Sequence, residues 1–390
     1  MGKKCRVGVI FGGRSVEHEV SIISAHQVIE VLDKNKYEVV PIYITREGVW
    51  ATGRKLLNLD NFKNFDLTGT KKAFIAPDTS ICSLVRHPDT WEWPWKKLLA
   101  KLDVAFPIIH GTHGEDGTLA GLLELADIPY VGSAVVGSAV GMDKIITKSV
   151  LRDNGLPTVN YVWFTRKEWE DSPKEIITKI ETALKYPLFV KPSNLGSSVG
   201  INKAKNREEL KFALSVAGYY DRRLLVEEGL EDSMEVNCAV LGNDDPIPSV
   251  CEQPISWEGF LTYEDKYSHQ NKTKGMKGAN RRIPAPISPE LTKEIQKLAV
   301  KAFKVIDCRG VARVDFLIHA NKKDLFINEI NTVPGSLAFY LWEATGIRFP
   351  KLVDKLIELA LCAHKEKEKI TYSYNPDLLE QIGNASPKMG

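Results

Sequence analysis

Much that would place this chain at a glance is missing from it. No apolar run approaches the roughly eighteen residues that a membrane-crossing helix requires. The six cysteines (Cys5, Cys82, Cys238, Cys251, Cys308 and Cys362) are scattered, and none has a CxxC partner. That excludes a dense disulfide framework and a thiolate metal site, and leaves buried free thiols in a reducing compartment as the expectation. Lysine and arginine number 52 against 50 aspartate and glutamate, a net charge of +2, so no excess of one sign points to nucleic acid or an anionic membrane. The opening "MGKKCRVGVIFGG" turns strand-like too early for a secretory signal, and Arg6 stands where N-myristoylation wants serine or threonine. These absences together predict a cytoplasmic protein with neither a nucleic-acid nor a membrane partner. The rest is ordinary: 390 residues, 43% hydrophobic and 26% charged, with room for two or three domains.

The first third alternates short apolar runs with helical periodicity. "RVGVIFGG", "YEVVPIYIT" and "DVAFPIIHG" read as strands, and "HEVSIISAHQVIEVL" and "TLAGLLELA" as helices. This order predicts a parallel sheet with crossover helices over 1–140. Residues 53–100 read as irregular, with "WEWPW" as an aromatic surface patch. A second unit, 141–242, combines helices ("KIITKSVLRDNGLP", "PKEIITKIETALK") with strands ("PLFVKPS", "SSVGINKA", "LLVEEGL", "EVNCAVLG"), an α+β pattern. A third, 243–365, carries a long polar loop at 256–281, then Ser288 and Pro289 as cap and first-turn proline of a helix reaching about Ile306. "GVARVDFLIH" and "DLFINEINTVPG" follow as paired strands, then a helix from Phe349 to about Ala363. Residues 366–390 read as a loosely held tail.

Two motifs carry chemistry. In "FVKPSNLGSSVG" (189–200) a lysine ends a strand and glycines and serines follow. Small residues let backbone N–H groups approach an anion, and Lys191 can add a point charge for a phosphate. A surface Gly/Ser hairpin would read the same way if it stood alone. Downstream, Asp315 lies on one of two strands expected to pair, and Glu329 and Asn331 lie two apart on the other. Three oxygen ligands without histidine or cysteine suit Mg²⁺, and Arg313, two from Asp315, shares its face. A gripped phosphate, a hard cation and a fork-shaped guanidinium imply chemistry on a nucleotide phosphate.

On these residues the sequence resembles the ATP-grasp enzymes, specifically the D-alanine–D-alanine ligase family. The likeness is carried by "GGRSVEHEVS", "HGTHGEDGTLAGLLE", "PYVGS", "MDK", "FVKPSNLGSSVG", "EDKY", "GVARVDF" and "NEINTVPG", in that order over most of 5–362. The resemblance implies a three-domain α/β fold, α+β overall, with an N-terminal parallel-sheet domain and two α+β domains sandwiching ATP. It also implies a ligase that joins two D-amino acids through an acyl phosphate for peptidoglycan precursors, two Mg²⁺ ions replaceable by Mn²⁺, and a homodimer, for which the apolar helix "IISAHQVIEVL" offers a surface. ATP would meet Lys144, Lys191 and Ser198 at its phosphates, Glu227, Glu228 and Leu230 at its base and Glu235 at its ribose. Asp315, Glu329 and Asn331 would hold the metal, and Arg313 the reacting centre. Glu17 would receive the first ammonium, Ser197 and Tyr267 would latch the lid, and His110 would lie by the second substrate. Lys266 beside Tyr267 matches members that use D-alanine second. Taken singly, Glu17 also reads as a first-turn helix carboxylate, His110 as a turn histidine, Tyr267 as a loop anchor, and Glu115 and Asp116 as caps for the helix at Thr118.

One stretch departs from the family. After "NTVPG" a serine/threonine-rich segment usually holds the second substrate's carboxylate, but here "SLAFYLWEATG" puts Tyr340 and Leu341 there. Gly335, Ser336 and Tyr340 with backbone N–H groups are the candidates for that carboxylate. The alternatives are a ligase with another second substrate (D-serine, D-lactate, another amino acid or a peptide) or a non-catalytic nucleotide- or amino-acid-binding paralogue, which would not need Arg313, Asp315, Glu329 and Asn331 intact.

Overall fold

The computed structural model describes residues 3–64, 66–88, 98–230, 232–255, 281–319 and 324–372. Lys266, Tyr267, nearly all of the 256–281 loop, the Trp91–Trp95 segment and most of the expected tail lie outside them.

The chain opens with β1 (Cys5–Gly12), β2 (Tyr37–Ile44), β3 (Trp50–Thr52), β4 (Lys71–Ile75), β5 (Ser83–Arg86), β6 (Leu98–Lys101) and β7 (Val104–Ile108). They form a seven-stranded sheet in the order β6-β5-β4-β3-β2-β1-β7. β1 lies between β2 and β7, parallel to both, and is buried along most of its length, as an inner parallel strand should be. Gly12 (φ 88°) ends it: a Cβ there would lie 2.3 Å from the Ile44 carbonyl oxygen, so only glycine can turn the chain at that point. The helix His18–Val31 follows, and His18 Nδ1–H donates to Gly13 O (2.7 Å) while Nε2 accepts from the Tyr43 hydroxyl (3.0 Å).

β8 (Tyr161–Thr165), β9 (Leu188–Pro192), β10 (Asn202–Ala204) and β11 (Arg223–Glu228) form an antiparallel sheet in the order β10-β9-β11-β8. The third sheet, β14-β13-β12-β15-β16, is also antiparallel, from β12 (Met234–Gly242), β13 (Ile247–Pro254), β14 (Arg281–Arg282), β15 (Gly310–Ile318) and β16 (Leu325–Asn331). Ser288 Oγ accepts from Leu291 N (3.2 Å) and Pro289 sits in the first turn of the helix Pro289–Val305, as the sequence predicts.

The sequence reading needs four corrections. Residues 53–100 are not irregular: β4, β5 and β6 extend the first sheet antiparallel, in strands too short and polar to show a period. β12, read with the second unit, pairs with β13 and β15 in the third sheet. "SSVGINKA" is a strand only from Asn202, because Ser197 and Ser198 are left-handed (φ 53° and 60°). The last helix runs Phe349–Lys367, beyond Ala363. The six cysteines are unpaired, but only Cys238, Cys251 and Cys308 are buried. No helix among the described residues is long and apolar enough to cross a membrane.

One apolar cluster runs through the first and third sheets. Val7, Phe11, Ile22 and Val28 pack with Ala239, Leu241 and Val311 and with Leu341, Trp342, Leu352 and Leu356 of the last two helices. The helix His18–Val31 thus spends Val20, Ile22, Ala25 and Val28 inside its own chain, leaving Ile23 exposed. Burying each large aliphatic side chain contributes about 1.5–3 kcal/mol, so this shared core fixes the N-terminal unit against the third sheet. Leu356→Ala, at a fully buried position in that core, is expected to lower the unfolding free energy by about 2–5 kcal/mol in urea denaturation. A loss under about 1 kcal/mol would mean the helix Phe349–Lys367 does not carry the junction.

Candidate active site

The Gly/Ser loop is anchored at its base by "MDK". Asp143 Oδ1 caps the helix Lys144–Asp153 through Ile145 N and Ile146 N (both 3.1 Å) and also accepts from Ser193 Oγ (2.7 Å). Its other oxygen pairs with Arg223. Lys144 donates from its backbone to Ser193 O (3.0 Å) and from Nζ to Leu195 O (2.7 Å). Lys144 therefore holds the loop at its own carbonyls. At the tip, Ser197 Oγ donates to Glu17 Oε1, which ties the loop to the N-terminal unit. A Cβ on Gly196 would lie 2.6 Å from Glu17 Oε2, so the close approach requires glycine.

Behind the loop, Glu227 on β11 lies between Lys148 Nζ (2.8 Å) and Lys191 Nζ (2.5 Å), all three buried. Burial opposes its ionisation, but the two ammonium groups outweigh it and hold the carboxyl at about 2. Nothing in the sequence singles out Lys148, one helical turn beyond Lys144. Glu228 points elsewhere, accepting from Asn160 Nδ2 (2.9 Å) and Lys185 N (3.0 Å). Of the expected hinge, Glu228 N and Gly229 N already donate to Asn160 O (3.1 Å) and Pro187 O (2.7 Å).

The third sheet gathers the remaining polar groups on one face. Glu252, Asn237, Asp315 and Glu329 lie in register across β13, β12, β15 and β16. Two positions along, Arg313 pairs with Asn331, and Glu235 lies two before Asn237, on the same face. Arg313 Nε and Nη2 grip Asp315 Oδ1 and Oδ2 (both 2.6 Å), and Asn331 Nδ2 donates to Asp315 Oδ2 (3.0 Å). The register shift after Asp315 leaves Asn328 as an extra residue of β16, and its Oδ1 accepts from Lys191 Nζ (3.2 Å). The metal expectation rests on two carboxylates and one amide, and no group of three His, Cys, Asp or Glu among the described residues is placed to hold a metal. Such a sparse, all-oxygen set fits a hard cation that keeps waters and shares phosphate oxygens.

The N-terminal unit closes the other side. His110 is buried. Its Nδ1–H donates to Val333 O (2.8 Å) and its Nε2 accepts from Ser24 Oγ (3.0 Å), with burial holding the ring neutral. Ser24 Oγ also accepts from Ser336 N (3.2 Å). Of the two residues read as caps, Asp116 meets Thr118 N (3.0 Å), but Glu115 does not. Glu115 instead accepts from Gly111 N (2.7 Å) and Val333 N (2.9 Å), bridging two units. Burial, then the Glu17 charge and more weakly that of Glu329, push its carboxyl up to about 8 against those two N–H groups. Gly335 opens a turn in which Ser336, Leu337 and Ala338 are all left-handed (φ 51°, 56° and 50°). Such backbone costs on the order of 1–3 kcal/mol per residue and persists where the surroundings over-determine it.

Tyr340 is buried at the start of the helix Phe339–Thr345. Its hydroxyl donates to Glu252 Oε1 (2.9 Å), and burial with the Glu252 charge raises the phenol to about 12. The single phenolic proton is therefore committed, and Tyr340 is not placed to donate to a substrate carboxylate.

Residues 6–133 match the family described as D-ala D-ala ligase N-terminus, and residues 150–358 match D-ala D-ala ligase C-terminus. A D-alanine–D-alanine ligase of Natranaerobius thermophilus is 43% identical over 94% of this chain and 98% of its own length. One of Acetivibrio thermocellus is 42% identical over 95% and 99%. Among solved structures, the D-alanine–D-alanine ligase of Coxiella burnetii is 32% identical with a TM-score of 0.77, covering 99% of this chain and 100% of that one. The VanG D-Ala:D-Ser ligase of Enterococcus faecalis is 34% identical with a TM-score of 0.78, over 92% and 100%. The chain belongs to the D-alanine–D-alanine ligase family.

Proposed function

We propose that this chain is an ATP-dependent ligase that joins D-alanine to D-alanine. The observation that carries the reading is the meeting of a carboxylate from the N-terminal unit, Glu17, with a loop ending in Ser197, opposite a sheet face bearing Arg313, Asp315, Glu329 and Asn331. Glu17 binds the ammonium of the first D-alanine and so orients its carboxylate. That carboxylate attacks the γ-phosphorus of ATP, ADP leaves, and an acyl phosphate forms. The amine of the second D-alanine attacks the acyl carbon, loses a proton and expels phosphate. Arg313 faces the oxyanion that develops on that carbon, where a preorganised cation contributes most.

Lys191, positioned by Glu227 and Asn328, and Lys144, at the loop carbonyls, serve the phosphates together with the N–H groups near Ser198. Glu235 takes the ribose. Mg²⁺ would be held by Asp315, Glu329 and Asn331 and would supply charge neutralisation on the transferring phosphoryl group. Glu115 and His110 fix the Val333–Ser336 turn against the N-terminal unit. Lys266 and Tyr267 as lid residues, a homodimer and a cytoplasmic location belong to the same reading and rest on the resemblance. Because the Tyr340 hydroxyl is committed to Glu252, a ligase that takes a different second substrate is the competing reading, and a panel of D-serine, D-lactate and D-alanine separates the two.

Phosphate release from ATP should depend on D-alanine and fall at least about a hundredfold in Asp315→Asn; release that ignores D-alanine, or survives that substitution, removes the reading. Gly196→Ala should push the loop off Glu17 and lower kcat/KM for the first D-alanine about ten- to hundredfold in steady-state kinetics. Unchanged kinetics would show that the loop need not reach Glu17.

A further inference from the structure

The polar face of the third sheet does not stop at Glu252. Arg281 on β14 is the register partner of Pro254, two residues beyond Glu252, so it projects from the same face as the row that ends at Glu329. Its guanidinium is fixed twice. Nη1 donates to Glu252 Oε2 (3.0 Å), and the guanidinium carbon lies 3.8 Å from the centre of the Tyr340 ring. Glu252 is held in turn by the Tyr340 hydroxyl (2.9 Å). The result is a half-buried, ring-stacked arginine whose orientation does not depend on a bound ligand. That is the preorganisation that planar recognition of a carboxylate requires.

Its place relative to the chemistry is specific. Arg313 grips Asp315 on the same face, and Tyr340 lies within electrostatic reach of both guanidinium groups. An α-amino acid carries its amine and carboxylate one carbon apart. When the amine attacks a carbon whose oxyanion faces Arg313, the carboxylate must fall close by. Lys191 is turned to Glu227 and Asn328, on the nucleotide side. The Tyr340 hydroxyl is spent on Glu252. Arg281 is the other guanidinium that acts on Tyr340, on the same sheet face as Arg313.

We propose that Arg281, clamped by Glu252 and stacked on Tyr340, receives the α-carboxylate of the amino acid whose amine attacks the acyl phosphate, and so sets acceptor specificity. Tyr340 and Glu252 are positioning residues that act through Arg281. This inference rests on the ligase reading above.

The test is a competition between two acceptors, D-alanine and D-alaninamide, which differ only in the carboxylate. Both are supplied with ATP, and the acid and amide dipeptides are quantified by mass spectrometry, so that their ratio reports the ratio of kcat/KM values. The parent should favour the acid. Arg281→Ala should lower the acid-to-amide ratio about ten- to hundredfold, with the KM for ATP unchanged. Arg281→Lys, which keeps the charge but not the fork or the stack, should lower it by less and guards against a misfolded alanine variant. Tyr340→Phe keeps the ring and should move the ratio least. If the ratio is unmoved in both arginine variants, or collapses as far in Tyr340→Phe, Arg281 is not the receptor. A parent that makes both dipeptides without preferring the acid overturns the inference alone. A parent that makes neither overturns the ligase reading and this inference together.

Discussion

Glu227 sits in the interior between the ammonium groups of Lys148 and Lys191, and the cleft is built outward from that contact. An isolated charge in such a place costs several kcal/mol, and the lysines on either side offset it. The contact also has direction. It holds Lys191 where Asn328 can reach it, and Asn328 is turned that way by an extra residue in β16. The central sheet is thereby pinned to the third sheet beside Glu329 and Asp315. The same rule of paired charge governs the rest of the cleft, where Arg313 answers Asp315, Arg281 answers Glu252 and Arg223 answers Asp143.

The units that meet there are joined in two different ways. The N-terminal unit shares an apolar core with the third sheet and meets its polar loop through His110, Glu115 and Ser24. Both links are rigid, and they hold the left-handed turn at Ser336, Leu337 and Ala338 in place. The contact between the Gly/Ser loop and Glu17 is narrower. The Ser197 hydroxyl and the close approach of Gly196 contribute to it, and neither brings apolar burial with it. A loop held so lightly at its tip and so firmly at its base, through Asp143 and Lys144, is suited to opening for substrates and closing over an intermediate that water would destroy.

The sequence was most legible where chemistry and period coincide. Arg313 and Asp315, like Glu329 and Asn331, stand two apart among Val314, Phe316, Ile327 and Ile330, and alternation alone puts them on one face. The loop from Ser193 to Gly200 was legible through its composition. Lys148 was not, because four residues after Lys144 on a helix it matches a solvated face, and only the packing of that helix buries it. Glu115 looked like the second of two caps, since nothing local tells that Val333, far along the chain, will donate to it. Glu252 and Arg281 are separated by a long polar stretch, and only the pairing of β13 with β14 makes them neighbours. The short strands β4 to β6 were hidden because their order comes from the sheet edge they join, not from their own pattern.

The central claim is that the carboxylate oriented by Glu17 is itself phosphorylated, so that its oxygen becomes the bridge to phosphorus. D-alanine labelled with ¹⁸O in both carboxyl oxygens, turned over with unlabelled ATP, tests this in one experiment. The account predicts released phosphate carrying one ¹⁸O per dipeptide formed. Phosphate free of label, with dipeptide still accumulating, would contradict it.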